Sequence, residues 1–220
     1  MKTSTKSWRL PAIWAGILGP LLFVGIFTLE GWLRPGYNLR TTYVSDLSIG
    51  PRGWVQMVNF VLFGVLLLIF TRVVAAEFRS GKASRGGLIL LTILACCYLA
   101  SGPFVTDPMG TPLNQVSIHG TIHGIFGAIV FLCMPISIFV YLGRFRVDPK
   151  WRSMQGWTLL LGTISAAGVL LLTISTKFPD LQYFFKDWVG LIQRTAIVPF
   201  MLWLFIFAVG FLRRRKQSEA

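Results

Sequence analysis

Six long apolar stretches, separated by short segments rich in glycine, proline and charge, dominate the chain. Each contains the roughly 20 mostly apolar residues that a helix needs to cross a membrane. None alternates at every second residue as a barrel strand does, and a helix satisfies all its backbone groups internally in lipid. We therefore expect an all-α protein, a single membrane domain over residues 1–220. Its predicted six spans are Pro11–Leu33, Trp54–Ala76, Gly87–Val105, Ile118–Leu142, Met154–Thr176 and Val189–Leu212.

Composition excludes the soluble classes of protein. Hydrophobic residues make up 54% of the chain and charged residues 13%, whereas a soluble domain carries about 25% charged residues. Such a chain cannot cover a water-facing surface, and its apolar content also excludes intrinsic disorder. The three cysteines lie in apolar stretches, so we expect no disulfide framework and no structural zinc site.

The basic residues predict the orientation. Fifteen of the 21 Lys and Arg residues lie on the N-terminal side of the membrane, five lie on the other side, and the last, Arg194, lies within the sixth span. Lys and Arg concentrate in cytoplasmic segments, so we expect both termini in the cytoplasm and the protein in the inner (cell) membrane. The formal net charge of +13 then reflects topology and contact with membrane lipids, and we expect no binding of nucleic acid.

This topology places the polar residues with the best claim to chemistry at the outer side. Ser45 and Asp46 precede the second span, Asp107 follows the third, and His119 and His123 open the fourth. Gln193 and Arg194 lie near the outer end of the sixth span. The sequence therefore predicts a polar site at this face.

His119 and His123 are four residues apart and share one face of a helix. This spacing lets two imidazoles reach one metal ion, with Asp107 as a third ligand and Asp46 or Glu30 behind it. Catalytic zinc uses three protein ligands and one open position, so a divalent metal such as zinc is one interpretation. The alternatives are interfacial histidines that bond to neighbouring loops, and a haem or proton-relay role.

Arg194 interrupts an otherwise apolar run. A charge at the centre of a span costs about 2.5–3.5 kcal/mol on insertion scales, so we expect its side chain to face the bundle and to find a partner. Asp107 or Asp46 is the expected counter-ion. A bound lipid phosphate or carboxylate is the functional alternative, because guanidinium holds both through paired hydrogen bonds.

Several short motifs resemble those of a known membrane family. They are the run Tyr43–Trp54, the later Asn59-Phe60 and Gly64, Asp107-Pro108, His119–Gly124 and Gln193-Arg194. Together they resemble the prokaryotic membrane family called domain of unknown function 998. The resemblance implies a six-helix fold and makes the outer polar residues family features, but it implies no reaction.

A more distant similarity is to membrane hydrolases related to alkaline ceramidases, which arrange Ser, Asp and three His around zinc. It implies catalytic parts for Ser45, Asp107, His119 and His123, although a third histidine is absent and six helices replace seven. We expect a site that binds or processes a lipid or small amphiphile, with Arg194, Gln193 and Asp46 holding it. The alternatives are a non-catalytic transporter or accessory subunit, and a haem or quinone protein.

Overall fold

The computed structural model describes residues 7–79 and 81–219, without the side chains of residues 82–84, 179–180 and 216–219. Within these residues the chain is helical and contains no strand, as the apolar runs predict. Short 3₁₀ turns lie at Ser45–Ser48, Leu113–Gln115 and Arg152–Met154. The helices are α1 Arg9–Leu33, α2 Gly53–Glu77, α3 Lys82–Ser101, α4 Ile118–Val147, α5 Gln155–Lys177, α6 Pro179–Phe185 and α7 Val189–Glu219.

Five helical segments in the described part of the chain are long and apolar enough to cross a membrane. They include α1, α2 and α4 together with Arg152–Lys177 and Val189–Arg215. The predicted span Gly87–Val105 corresponds to a shorter apolar stretch, Arg85–Ser101. This helix ends early because Pro103 follows Gly102, and proline has no backbone N–H to continue the helical hydrogen bonds. The count of six crossings stays a prediction.

The six long helices form a closed ring. Each packs against its neighbours in the order α1, α2, α3, α4, α5, α7 and back to α1, and α4 also touches α7. Ion pairs join α1 to both ends of α2, from Arg9 to Glu77 and from Glu30 to Arg52, so these two helices are antiparallel. We call the end with residues 34–52, 102–117 and 178–188 the loop end, and the opposite one the terminal end.

Aromatic side chains fill the ring at the terminal end. Phe78, Tyr141, Phe145, Trp151 and Phe207 are buried and lie in mutual ring contact. Aromatic pairs at such distances contribute about 0.5–1.5 kcal/mol each beyond area burial. Space left inside the bundle is therefore found nearer the loop end.

Close backbone contact holds α5 against α7. A Cβ added at Gly168 would lie 2.6 Å from the backbone nitrogen of Ala196. One turn earlier, the hydroxyl of Ser165 donates to the carbonyl of Ala196 at 2.8 Å. This contact fixes the height at which α7 presents its first turns to the loop end.

Candidate functional site

Arg194 fastens the first loop, residues 34–52, to the start of α7. Its Nη1 donates to the carbonyl oxygens of Leu39 at 2.9 Å and Thr42 at 3.0 Å, and to that of Gly190 at 2.8 Å. Its Nη2 donates to the Tyr37 hydroxyl at 2.6 Å. The side chain is 9% exposed, so it faces the bundle as the sequence predicts.

The prediction that a carboxylate pairs with Arg194 is wrong. Among the described residues, neither Asp107 nor Asp46 forms an ion pair with it. The reason is that a guanidinium has five donors, and the bent backbone of the first loop turns several carbonyls toward it. Charge-assisted bonds to carbonyl oxygens replace the ion pair.

The neighbouring residues of α7 hold the same loop. The Gln193 side-chain oxygen accepts from the backbone N–H of Val44 at 2.7 Å, and the N–H of Leu191 donates to the carbonyl of Arg40 at 3.2 Å. Gly190 lets the loop approach, because a Cβ there would lie 2.6 Å from the Leu39 carbonyl oxygen. Gln193 and Arg194 are thus positioning residues for the first loop.

The two ends of the first loop meet at a buried carboxylate, Glu30, which the sequence suggested only as a reserve ligand in the predicted metal site. Glu30 is 3% exposed and pairs with Arg34 at 2.9 Å and with Arg52 at 2.6 Å. Arg34 also donates to the carbonyl of Ile49 at 2.9 Å. The four-residue spacing of Glu30 and Arg34 was the available signal, since such pairs meet on one helix face.

Asp107 supports the start of α4. Its carboxylate accepts from the backbone N–H of Ser117 at 2.8 Å, and the Ser117 hydroxyl accepts from the N–H of Gly120 at 2.9 Å. A Cβ at Gly120 would collide with the Asp107 carboxylate. These bonds satisfy donors that a helix start leaves unpaired, and a negative charge is favourable there.

The two histidines have different surroundings. His123 is buried, with its Nδ1 2.7 Å from the carbonyl oxygen of Phe104 and its ring against Phe60. A carbonyl only accepts, so Nδ1 donates in this bond, and the backbone of Ser101 forms a second hydrogen bond with the ring. His119 is exposed, and its ring lies 5.5 Å from that of Phe104.

A metal centre is not assembled by the described residues, in which no three His, Cys, Asp or Glu side chains group closely enough to hold an ion. His119 faces outward, and Asp107 is engaged at the start of α4. Zinc binding by His119, His123 and Asp107 therefore stays a prediction that the arrangement of these side chains does not favour.

A cavity of about 350 Å³ lies inside the ring toward the loop end. Every long helix contributes to it, and so do the first loop and Thr106. Its walls are mainly apolar and aromatic. They include Phe23, Phe60, Tyr98, Phe131, Leu172 and Ile197.

Polar groups line part of this cavity. Four of them are Tyr43, Ser45, His123 and Gln193. Within the described structure the hydroxyls of Tyr43 and Ser45 make no hydrogen bond, so they are available to a bound molecule. Burial raises the pKa of Tyr43 to about 12, and its phenol is therefore a neutral donor at physiological pH. Of the predicted site residues, the structure brings Ser45, His123 and Gln193 together around one space.

Asp46 lies beside this cavity on the first loop without lining it. Desolvation raises the pKa of its carboxyl from 3.8 to about 6, although a backbone hydrogen bond at Tyr43 acts the other way. The carboxylate is therefore a charge held in unfavourable surroundings, close to the residues that close the cavity.

Gly124 and Gly127 line the cavity on α4. A Cβ built at either position meets nothing within 4 Å, so the space beside both glycines is open. Sequence reasoning did not single out the cavity-lining side chains of Ser101 and Thr176. Hydroxyl residues of this kind are common in membrane helices, so their sequence positions carry little signal.

The family model described as "Protein of unknown function (DUF998)" matches residues 17–210, so the chain belongs to this family and the resemblance drawn from its motifs is confirmed. No curated protein and no solved structure matches the chain.

Proposed function

We propose that this DUF998 protein binds a small amphiphile with an uncharged polar head in the loop-end cavity. The cavity carries the proposal, because its apolar walls and few convergent polar groups are the usual composition of a small-molecule site. Its volume of about 350 Å³ falls in the range of about 300–1,000 Å³ that such sites occupy.

The lining supports an uncharged head. Among the described residues that line the cavity, none is Lys, Arg, Asp or Glu, and burying an unpaired charge there would be costly. Arg194 was the expected anchor for an anionic head, but its Nη groups are occupied by the first loop. The Tyr43 and Ser45 hydroxyls suit a hydroxyl, ester or amide instead.

The proposed setting is an inner membrane crossed six times, with both termini in the cytoplasm. The ring supports the sixth crossing, since α3 connects α2, which ends at the terminal end, to α4, which begins at the loop end. The distribution of basic residues supports the orientation. The cavity then opens toward the outer leaflet.

Hydrolysis of the bound molecule is the second candidate. It is favoured by the presence of the Ser45 hydroxyl and the His123 imidazole in one cavity, the residue types of a nucleophile and its base. Binding and hydrolysis differ in what the purified protein should contain, intact amphiphile in the first case and its cleavage products in the second.

The test fills the cavity. Gly127→Leu places four carbon atoms into a space where a Cβ meets nothing. Gly143→Leu is the matched control, because Gly143 lies on the same helix, also has open space at its Cβ, and is not part of the cavity. Each protein is purified in nanodiscs, and the molecules that stay bound to it are identified by native mass spectrometry and by analysis of the extracted lipids.

The wild type and Gly143→Leu should retain a stoichiometric small amphiphile that Gly127→Leu loses. A monoacylglycerol added to the wild type should raise its melting temperature, with no effect on Gly127→Leu. Retention of the same molecules by Gly127→Leu, or no stabilised species in the wild type, would contradict binding in this cavity. Folding of the variant is checked by its helical circular dichroism.

A further inference from the structure

A second concave site lies at the terminal end, on the opposite side of the ring from the cavity described above. It is a groove of about 590 Å³ between the start of α5 and the last turns of α7. Its walls divide into a basic part, with Lys150, Arg213 and Arg214, and an apolar part, with Trp157, Phe205 and Val209. We propose that this groove binds an anionic phospholipid.

Two of the three cations are free to receive a phosphate. The side chains of Lys150 and Arg213 are exposed and make no hydrogen bond or ion pair with another described residue. Arg214, by contrast, is already bonded within the protein. Its Nε donates to the Lys150 carbonyl at 2.8 Å, its Nη1 donates to the Gly210 carbonyl at 2.8 Å, and its guanidinium lies over the Trp151 ring. Arg214 thus shapes the basic wall and Lys150 and Arg213 supply the available charge.

Among the described residues, no carboxylate forms an ion pair with Lys150 or Arg213, although Glu77 and Asp148 both act electrostatically on Arg214. Asp148, two residues before Lys150, pairs with Arg144 at 3.1 Å. Glu77 pairs with Arg9 at 3.3 Å. These two carboxylates are therefore paired with other arginines, and Lys150 and Arg213 keep a positive field that favours a phosphate diester.

The apolar wall decides between a free anion and a lipid. Trp157 is half exposed, and Phe205 and Val209 are partly exposed along the flank of α7 below the cations. A soluble phosphate would use only the basic part and leave this wall uncovered. A phospholipid covers both, with its phosphate at Lys150 and Arg213 and an acyl chain along the wall. In the proposed orientation the groove lies in the cytoplasmic leaflet, where anionic lipids attract basic side chains.

The test compares phosphatidylglycerol and phosphatidylcholine of identical acyl chains, titrated onto the purified full-length protein and followed by native mass spectrometry. The variant is Lys150→Gln with Arg213→Gln, which removes two exposed charges and leaves the apolar wall in place. The control is Arg85→Gln with Arg146→Gln, two exposed arginines outside the groove. An inorganic phosphate arm tests whether the free anion competes.

The wild type and control pair should bind phosphatidylglycerol more tightly than phosphatidylcholine. The variant with Lys150→Gln and Arg213→Gln should bind phosphatidylglycerol about thirtyfold more weakly than the wild type, because each basic side chain near an anionic surface contributes roughly fivefold to the affinity. An equal loss of affinity in the groove variant and in the control variant, or no preference for phosphatidylglycerol in the wild type, would overturn the site. Full competition by millimolar phosphate would overturn the lipid as its occupant. None of these results depends on the loop-end cavity.

Discussion

Replacing Arg194 by leucine tests whether this residue holds the first loop in place or serves a carboxylate. Leucine fills a similar apolar volume but removes every donor. The carbonyls of Leu39 and Thr42 then lose a charged donor at 2.9 and 3.0 Å. The Gly190 carbonyl loses less, because it belongs to α7 and the helical hydrogen-bond ladder supplies it with another donor.

The magnitude follows from the two loop carbonyls. A hydrogen bond to a charged group contributes about 1.5–3 kcal/mol, so the loss of two such bonds should cost about 3–6 kcal/mol. The loop has an alternative to global unfolding, since it can lift away and let water reach the carbonyls. We therefore expect local opening of residues 37–44. Arg194→Lys should open the loop less, because one ammonium group retains part of the bonding.

Hydrogen exchange measured by mass spectrometry in nanodiscs reports this opening. The informative amides are those of Val44, bonded to Gln193, and Leu191, bonded to the Arg40 carbonyl. Arg194→Leu should accelerate their exchange at least about a hundredfold, given that each 1.4 kcal/mol is a tenfold change. The matched control is Arg40→Leu, whose exposed guanidinium only lies 5.0 Å from the Trp188 ring.

Two results would refute the reasoning. One is exchange in Arg194→Leu no faster than in Arg40→Leu, which would mean that the carbonyl bonds do not hold the loop. The other is an equal acceleration of amide exchange in Asp107→Asn, which would support the carboxylate of Asp107 as the partner of Arg194. Asp107 bonds to Ser117 at the start of α4, so its substitution should affect that segment and leave residues 37–44 protected.

Two further predictions concern the same end of the molecule. Because the pKa of Asp46 rises from 3.8 to about 6 on folding, its contribution to stability is fully present below pH 3.8 and is lost as the pH rises to 6. Asp46→Asn should remove this loss, which is at most about 3 kcal/mol, in thermal unfolding measured from pH 3.5 to 7.5. A variant curve with the same slope as the wild-type curve would contradict the raised pKa of Asp46. For topology, reporter fusions at Arg146 should report the cytoplasm and fusions at Leu113 the outer side; a cytoplasmic signal at Leu113 would overturn the proposed orientation of the cavity.

Local sequence was sufficient for the helices. An apolar run placed in lipid has to satisfy each backbone group within its own segment, so the run Val189–Leu212 predicts a helix without knowledge of its neighbours, and α7 begins at Val189. The third helix ends before its predicted span does, because hydrophobicity continues to Val105 while proline ends the helix near Ser101. The family was also accessible from the sequence, since its motifs are short and contiguous.

Tertiary structure alone decided the partners of the polar residues. The sequence placed Arg194 inside a span and required a partner for it, but carboxylates and backbone carbonyls both satisfy a guanidinium. The choice depends on the path of the first loop, which Glu30, Arg52 and Gly190 define. Likewise, the sequence places Asp107 and His123 at the same predicted face of the membrane. In the structure, Asp107 supports the start of α4 and His123 lines the cavity. The cavity itself forms because six helices close into a ring. Its size depends on the distances between helices, which no single segment of the sequence encodes.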